Sequence, residues 1–81
     1  MLLTVSAEKK IRRNLGKYIK KLREERNMSL NEVVAYLSLH KIKCSKSNLG
    51  RIEQENSPVR SDILAGLALI WSMKTDDIVY K

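Results

Sequence analysis

The apolar residues of this chain recur at three- and four-residue intervals, which is the spacing of one face of an α-helix. The first such stretch has an apolar stripe about 100° wide, and its opposite face is nearly all lysine and arginine. The stripe consists of Ile11, Leu15, Tyr18, Ile19 and Leu22. The β-branched residues form no alternating run, so the pattern predicts an all-α fold.

Five helices are expected from this periodicity and from the signals that mark helix starts. Ser29 and Glu32 have the spacing of a capping box, which predicts a second helix that begins at Leu30. The expected N-caps of the other four helices are Ser6, Ser45, Ser61 and Thr75. The predicted ranges are 7–26, 30–37, 46–54, 62–71 and 76–79.

The 81 residues predict a single domain over 1–81, with an N-terminal arm at 1–6 and a helical core at 7–79. The chain carries 16 Lys and Arg against 9 Asp and Glu, a net charge of +7. A small domain this basic is typical of proteins that bind an anionic partner. The basic residues concentrate between Lys9 and Arg23, where there is no acid, whereas the last quarter is slightly negative and apolar, so two different surfaces are expected.

Several chemistries are not expected from this sequence. Cys44 is the only cysteine and His40 the only histidine, so neither a disulfide within the chain nor a metal site is predicted. There is no catalytic constellation and no phosphate-binding glycine loop, so we expect no enzyme activity and no cofactor. No secretory signal and no membrane-spanning stretch is recognised, so a cytoplasmic protein is expected.

The second helix, the following turn and the third helix have the order of a helix-turn-helix motif. In that motif the second of the two helices lies in the major groove of DNA and presents its first residues to the bases. The stretch "CSKSNLGRIEQE" fits this role because Ser45, Ser47 and Asn48 are small. Gly50 costs a helix about 1 kcal/mol relative to alanine, which is understandable if a side chain there would strike DNA.

Three stretches together resemble the lambda-repressor/Cro-like (XRE-type) helix-turn-helix family. They are "LGKYIKKLREERNMSLNEV", "SKSNLGRIE" and "LAGLALIWSMKTDDI", and together they cover most of the chain. The resemblance implies a five-helix DNA-binding domain and assigns roles to individual residues. Base contacts are implied for Lys46, Ser47, Gly50 and Arg51, contacts with the sugar-phosphate backbone for Ser45 and Asn48, and a structural ion pair for Arg23 and Glu53.

The chain departs from the family pattern at three points. Leu30 stands where the family commonly has glutamine at the start of the second helix, and Glu55 stands where glycine commonly follows the third. The turn "SLHKIKC" has seven residues, whereas the family usually has three or four. We expect the long turn to re-aim the third helix and Leu30 to remove a polar contact.

Positions along the chain predict two further contact surfaces, one basic and one apolar. The third predicted helix, which would read the bases, is flanked by Lys41, Lys43 and Arg60. These three are expected either to contact phosphates or to be ordinary solvated side chains. An apolar patch is expected to form a homodimer interface, unless the N-terminal "LLTV" covers it within one chain. The patch consists of Leu69, Ala65, Ile78, Val79 and Tyr80.

The leading functional prediction is sequence-specific binding of double-stranded DNA by a homodimeric transcriptional regulator, in particular a repressor. The alternative is a protein-interaction module such as an antitoxin or a partner-dependent regulator, in which the apolar end binds another protein. A third reading places the basic first helix on an anionic membrane. Its stripe lacks Trp and Phe and is better explained as core, so no membrane partner is expected.

Overall fold

Five α-helices account for most of the residues that the computed structural model describes, which are 14–55 and 57–80. They are α1 (Leu15–Glu25), α2 (Leu30–Leu39), α3 (Lys46–Glu55), α4 (Ser61–Ile70) and α5 (Thr75–Val79). This mostly helical, compact arrangement agrees with the predicted all-α class.

Two of the predicted N-caps are confirmed by side-chain hydrogen bonds. The Ser29 hydroxyl accepts from the Glu32 amide at 3.1 Å, and the Glu32 carboxylate accepts from the Ser29 amide at 2.8 Å. This completes a capping box at the start of α2. The Ser45 hydroxyl accepts from the Asn48 amide at 3.0 Å, which satisfies a free donor in the first turn of α3.

The predicted N-caps Ser61 and Thr75 are wrong, and so is the range 7–26 predicted for the first helix. α1 begins at Leu15, because Asn14 has non-helical angles (φ −107°, ψ 59°), so no single helix runs over 7–26. The apolar stripe continues in the sequence across Asn14 and therefore gives no sign that α1 begins after it. Ser61 and Thr75 are the first residues of α4 and α5 rather than their caps. Ser6 and the arm at 1–6 lie outside the described residues.

The first, second and fourth helices end in the same way, with one residue in the left-handed region. These residues are Asn27 (φ 55°), Lys41 (φ 61°) and Ser72 (φ 54°), and none is glycine. After each, a backbone amide reaches back to a carbonyl of the last turn, as in a Schellman motif. These bonds run from Met28 to Arg23 (3.2 Å), from Ile42 to Leu37 (2.9 Å) and from Met73 to Ala68 (2.8 Å).

One aliphatic core holds the helices together. α3 packs against both α1 and α2, α4 packs against α2, and α5 closes the core against α1 and α4. The largest fully buried side chains are Ile19, Val33, Leu37, Leu49, Ile52, Ile63, Leu67 and Ile78. Because α3 contributes Leu49 and Ile52 to this core, its orientation is fixed by the same contacts that stabilise the fold.

Gly66 lets α2 and the residues after it approach α4 closely. A Cβ atom built at Gly66 would lie 2.5 Å from Ile42 Cδ1 and 2.6 Å from Leu37 Cδ2, well inside van der Waals contact. Ile42 is half-buried and packs against the core. The residues that lead from α2 into α3 are therefore attached to the core at Ile42.

Candidate nucleic-acid interface

The inner face of α3 is anchored by two aliphatic side chains and one carboxylate. Leu49 and Ile52 are fully buried, and Glu53 is only 4 % exposed. A charged side chain at that depth is unfavourable unless it is paired. Glu53 therefore needs a partner on a neighbouring helix.

Arg23 of α1 supplies that partner. Its Nε donates to Glu53 Oε2 at 2.9 Å, and its Nη2 donates to Glu53 Oε1 at 3.0 Å, which makes a two-pronged contact. Arg23 Nη1 also donates to the Met28 carbonyl at 2.7 Å, just past the end of α1. The hydrogen bond to Glu53 raises the pKa of Arg23, and burial acts in the opposite direction. The structure thus joins the two residues of the predicted ion pair and ties α3 to α1.

The outer face of α3 has a different character. Lys46, Ser47 and Arg51 are exposed, and none has a side-chain hydrogen bond or ion pair within the described part of the chain. Ser47 and Arg51 are four residues apart and so share one side of the helix. Three of the four predicted base-contacting residues are therefore exposed, and two of them, Ser47 and Arg51, share one side of α3.

Gly50, the fourth, lies on the border between the two faces and is half-buried. A Cβ built there would lie 3.7 Å from Leu30 Cδ1, an ordinary van der Waals contact. The fold thus has room for an alanine side chain at position 50. Packing inside the fold gives no reason for the glycine.

The connection between α2 and α3 covers residues 40–45, because α2 extends to Leu39, further than predicted. Lys41 and Lys43 are exposed on it, beside the start of α3. Cys44 is half-buried, and the Asn48 side-chain amide donates to its Sγ at 3.9 Å. Burial raises the pKa of the Cys44 thiol, and the Asn48 hydrogen bond acts in the opposite direction. Asn48 is thus turned partly toward Cys44.

Arg60, the third predicted phosphate contact, is exposed but is hydrogen-bonded to other residues of the protein. Its Nη2 donates to the Lys43 carbonyl at 2.7 Å, and its Nε donates to Asp62 Oδ1 at 3.1 Å. The spacing of Arg60 and Asp62 hints at a local pair, but no sequence signal points to the Lys43 carbonyl. The structure therefore gives Arg60 a role that the sequence did not reveal.

The predicted apolar patch is only partly exposed. Leu69 is 60 % exposed and Ala65 is exposed, whereas Val79 and Tyr80 are half-buried. Ile78 is 0 % exposed, so its assignment to an interface is wrong. In a five-residue helix such as α5, too few positions exist for periodicity to separate the core side from the outer side.

Sequence reasoning missed two exposed apolar residues on α2. Leu39 is 76 % exposed and Tyr36 is 49 % exposed. Tyr36 and Ile70 share a surface groove of about 380 Å³ between the end of α1, α2 and the end of α4. The groove is lined by Arg26, Asn27, Met28, Glu32, Tyr36 and Ile70.

No cluster of three or more His, Cys, Asp or Glu side chains that could hold a metal ion occurs among residues 14–55 and 57–80. None of the helices described above combines the length and the hydrophobicity needed to cross a membrane. No protein-family model, curated protein or solved structure matches the chain.

Proposed function

We propose that this protein binds double-stranded DNA sequence-specifically, as a helix-turn-helix regulator of the lambda-repressor/Cro-like type with α3 in the major groove. The observation that carries the proposal is the division of α3 into two faces. Leu49, Ile52 and Glu53 hold one face in the core, while the exposed part of α3 presents cations and small polar groups, and Lys46, Ser47 and Arg51 have no side-chain partner among residues 14–55 and 57–80. A net charge of +7 favours approach to a polyanion.

The dimensions of α3 suit this role. A helix of 10 residues, as α3 has, is roughly 15 Å long at 1.5 Å per residue. A helix with its side chains is about 10–12 Å across, close to the roughly 12 Å width of the major groove. The small side chains of Ser45 and Ser47 and the bare backbone of Gly50 make the leading edge slender.

Individual roles follow from position. Arg51 has the guanidinium fork that can donate twice to guanine, and Lys46 and Ser47 lie one turn earlier on the same helix. Ser45, Lys41 and Lys43 lie at or before the helix start, where contacts with phosphates position a reading helix. Asn48 is assigned a contact with the sugar-phosphate backbone. Its side-chain amide also donates to Cys44 Sγ within the protein.

A two-fold dimer extends the recognised site. One short helix reads few base pairs, so two copies on two half-sites supply the missing specificity. The exposed residues Leu69 and Ala65, with the half-buried Val79 and Tyr80, are the proposed contact between copies. A dimer that occupies an operator in this way acts as a repressor when it blocks access to that DNA.

Selection from random DNA duplexes at a stated salt concentration tests the proposal. We expect a short, roughly palindromic sequence to be enriched, with affinity that falls as salt rises. Enrichment of no preferred sequence would refute sequence-specific binding. Binding that is selective but strictly one-to-one would refute the dimer and leave the reading helix in place.

A second candidate, a protein-interaction module, is favoured by the exposed apolar side chains of Leu39, Tyr36 and Leu69. Large exposed apolar groups on a small domain mark contact surfaces when they are contiguous. Size-exclusion chromatography with light scattering separates the two candidates. A stable symmetric dimer of the protein alone favours the DNA-binding regulator, whereas a monomer that co-purifies with a different protein favours the interaction module.

A further inference from the structure

The connection at 40–45 is held in place at several points along its length. At its start Lys41 adopts a left-handed conformation, and the Ile42 amide donates back to the Leu37 carbonyl at 2.9 Å. At its end Ser45 caps α3 through the Asn48 amide. Between these anchors, the Lys43 carbonyl receives a hydrogen bond from Arg60 at 2.7 Å.

Arg60 uses its planar fork to connect the two segments. Nη2 donates both to the Lys43 carbonyl and, at 3.3 Å, to Asp62 Oδ2, while Nε donates to Asp62 Oδ1 at 3.1 Å. Asp62 lies in the first turn of α4. The guanidinium is thereby oriented by a carboxylate on a packed helix and holds a backbone carbonyl three residues before α3 begins.

This ion pair contributes little to stability. The side chains of Arg60 and Asp62 are 59 % and 54 % exposed, and solvent weakens pairs that are this open. Its importance is geometric, because the position of the Lys43 carbonyl helps to set where the chain enters α3. A small misplacement of a recognition element is costly to binding even when the fold is unaffected.

We infer that Arg60 is a positioning residue for sequence recognition: it fixes the connection at 40–45, and through it the place where the chain enters α3, instead of gripping phosphate. The inference rests on the proposed DNA-binding function. Two features argue against a phosphate clamp. The Nε and Nη2 groups are already engaged, and Asp62 largely neutralises the charge that a phosphate would seek.

Arg60→Lys isolates geometry from charge. The lysine retains the positive charge but lacks the rigid fork that reaches both Lys43 and Asp62. We expect about tenfold weaker binding to the selected duplex, with unchanged affinity for unrelated duplexes and an unchanged slope of affinity against salt concentration. Arg60→Ala should lose the same factor on the selected duplex.

Lys43→Ala is the matched comparison, because Arg60 binds the backbone carbonyl of Lys43 and that carbonyl survives the substitution. If Lys43 contacts a phosphate, Lys43→Ala should weaken binding to all duplexes alike. It should also lower the slope of affinity against salt concentration by about one. If Arg60→Lys binds every duplex as the unaltered protein does, while Arg60→Ala behaves like Lys43→Ala, Arg60 is a phosphate clamp and the inference is overturned.

Amide hydrogen exchange in the protein without DNA supplies an independent readout. In Arg60→Lys the amides of Ile42 and Asn48, which flank Lys43, should exchange several-fold faster, while the Tyr18 amide in α1 is unchanged. Unchanged exchange at Ile42 and Asn48 would overturn the inference. If the unaltered protein selects no sequence, the proposed function fails instead, whatever the exchange rates at these amides.

Discussion

The two faces of α3 differ in almost every physical respect, although they belong to the same ten residues. The inner face is aliphatic, buried, and joined to α1 by the two-pronged contact between Glu53 and Arg23. The outer face is exposed, and Lys46, Ser47 and Arg51 make no side-chain hydrogen bond or ion pair with the part of the chain described here. One face is explained by folding, whereas the other requires an explanation outside the fold.

This difference separates the effects of substitution. Changes on the inner face should appear in the free energy of unfolding, because its groups have partners inside the protein. Changes on the outer face should leave that free energy within about 0.5 kcal/mol and should appear only when a ligand is present. The substitutions below test whether the two faces behave so differently.

Glu53→Ala should have the largest effect, lowering the free energy of unfolding by roughly 3–5 kcal/mol. The loss is large because Arg23, with a side chain only 12 % exposed, would remain buried without its carboxylate. Urea denaturation followed by circular dichroism measures it. Glu55→Ala, on the exposed end of the same helix, is the control and should change little. Equal midpoints for the two variants would contradict the importance of the buried pair.

Arg51→Ala should leave the urea midpoint unchanged and reduce discrimination between the selected duplex and single-base variants by about 1–3 kcal/mol. The reason is the loss of a two-pronged contact with one base pair. Competition binding against a panel of single-base variants locates the affected position. Lys74→Ala removes the same charge beyond the far end of α4 and should leave discrimination intact. Equal losses of discrimination in both variants would mean that Arg51 contributes only its positive charge to binding.

Gly50→Ala should raise stability by up to about 1 kcal/mol, because alanine is the better helix former and the new methyl meets only Leu30. The same methyl should weaken binding to the selected duplex about tenfold if this border of α3 enters the groove. Parallel urea and DNA titrations of one preparation measure both effects.

Gly66→Ala is the matched control, with the opposite expected sign. Its methyl would collide with Ile42 and Leu37, so we expect a loss of about 1–3 kcal/mol in stability despite the same gain in helix propensity. A Gly50→Ala variant that is stabilised and still binds the selected duplex normally would show that Gly50 does not approach DNA.

Lys41→Gly should have the smallest effect, raising stability by about 0.5–1 kcal/mol. Glycine relieves the left-handed strain at this helix end but loses more entropy on folding. If Lys41 contacts a phosphate, its replacement should also lower the slope of affinity against salt concentration by about one. Ser72→Gly relieves the same strain away from α3 and should leave the slope alone. A change in slope with Ser72→Gly would mean that relieved strain, rather than lost charge, alters binding.

Helix starts could be predicted where a side chain forms the cap. Ser29 and Ser45 were located correctly because a hydroxyl and the amide three residues later interact locally. At Arg60 and Lys74 the side chain forms no cap hydrogen bond, so no local signal marks the starts of α4 and α5. The starts predicted there, at Asp62 and Asp76, are each displaced by one residue for that reason.

The candidate site was predictable in its exposed outline but not in its long-range contacts. Sequence spacing places Ser47 and Arg51 on one side of a helix without knowledge of the fold. The bond from Arg60 to the Lys43 carbonyl joins residues 17 positions apart, and no periodicity encodes it. Ile78 was misassigned for a related reason, since only the packing of α5 on α1 and α4 decides which of its sides is covered.

Trp71, the only tryptophan in the sequence, lies buried at the end of α4 beneath the Arg26 guanidinium, 5.4 Å from the ring centre. Its indole Nε1 has no hydrogen-bond partner within residues 14–55 and 57–80. A buried indole emits at short wavelength, and its emission moves to longer wavelength when water reaches it. Because this residue belongs to the scaffold and not to the exposed face of α3, its fluorescence reports folding independently of any bound nucleic acid.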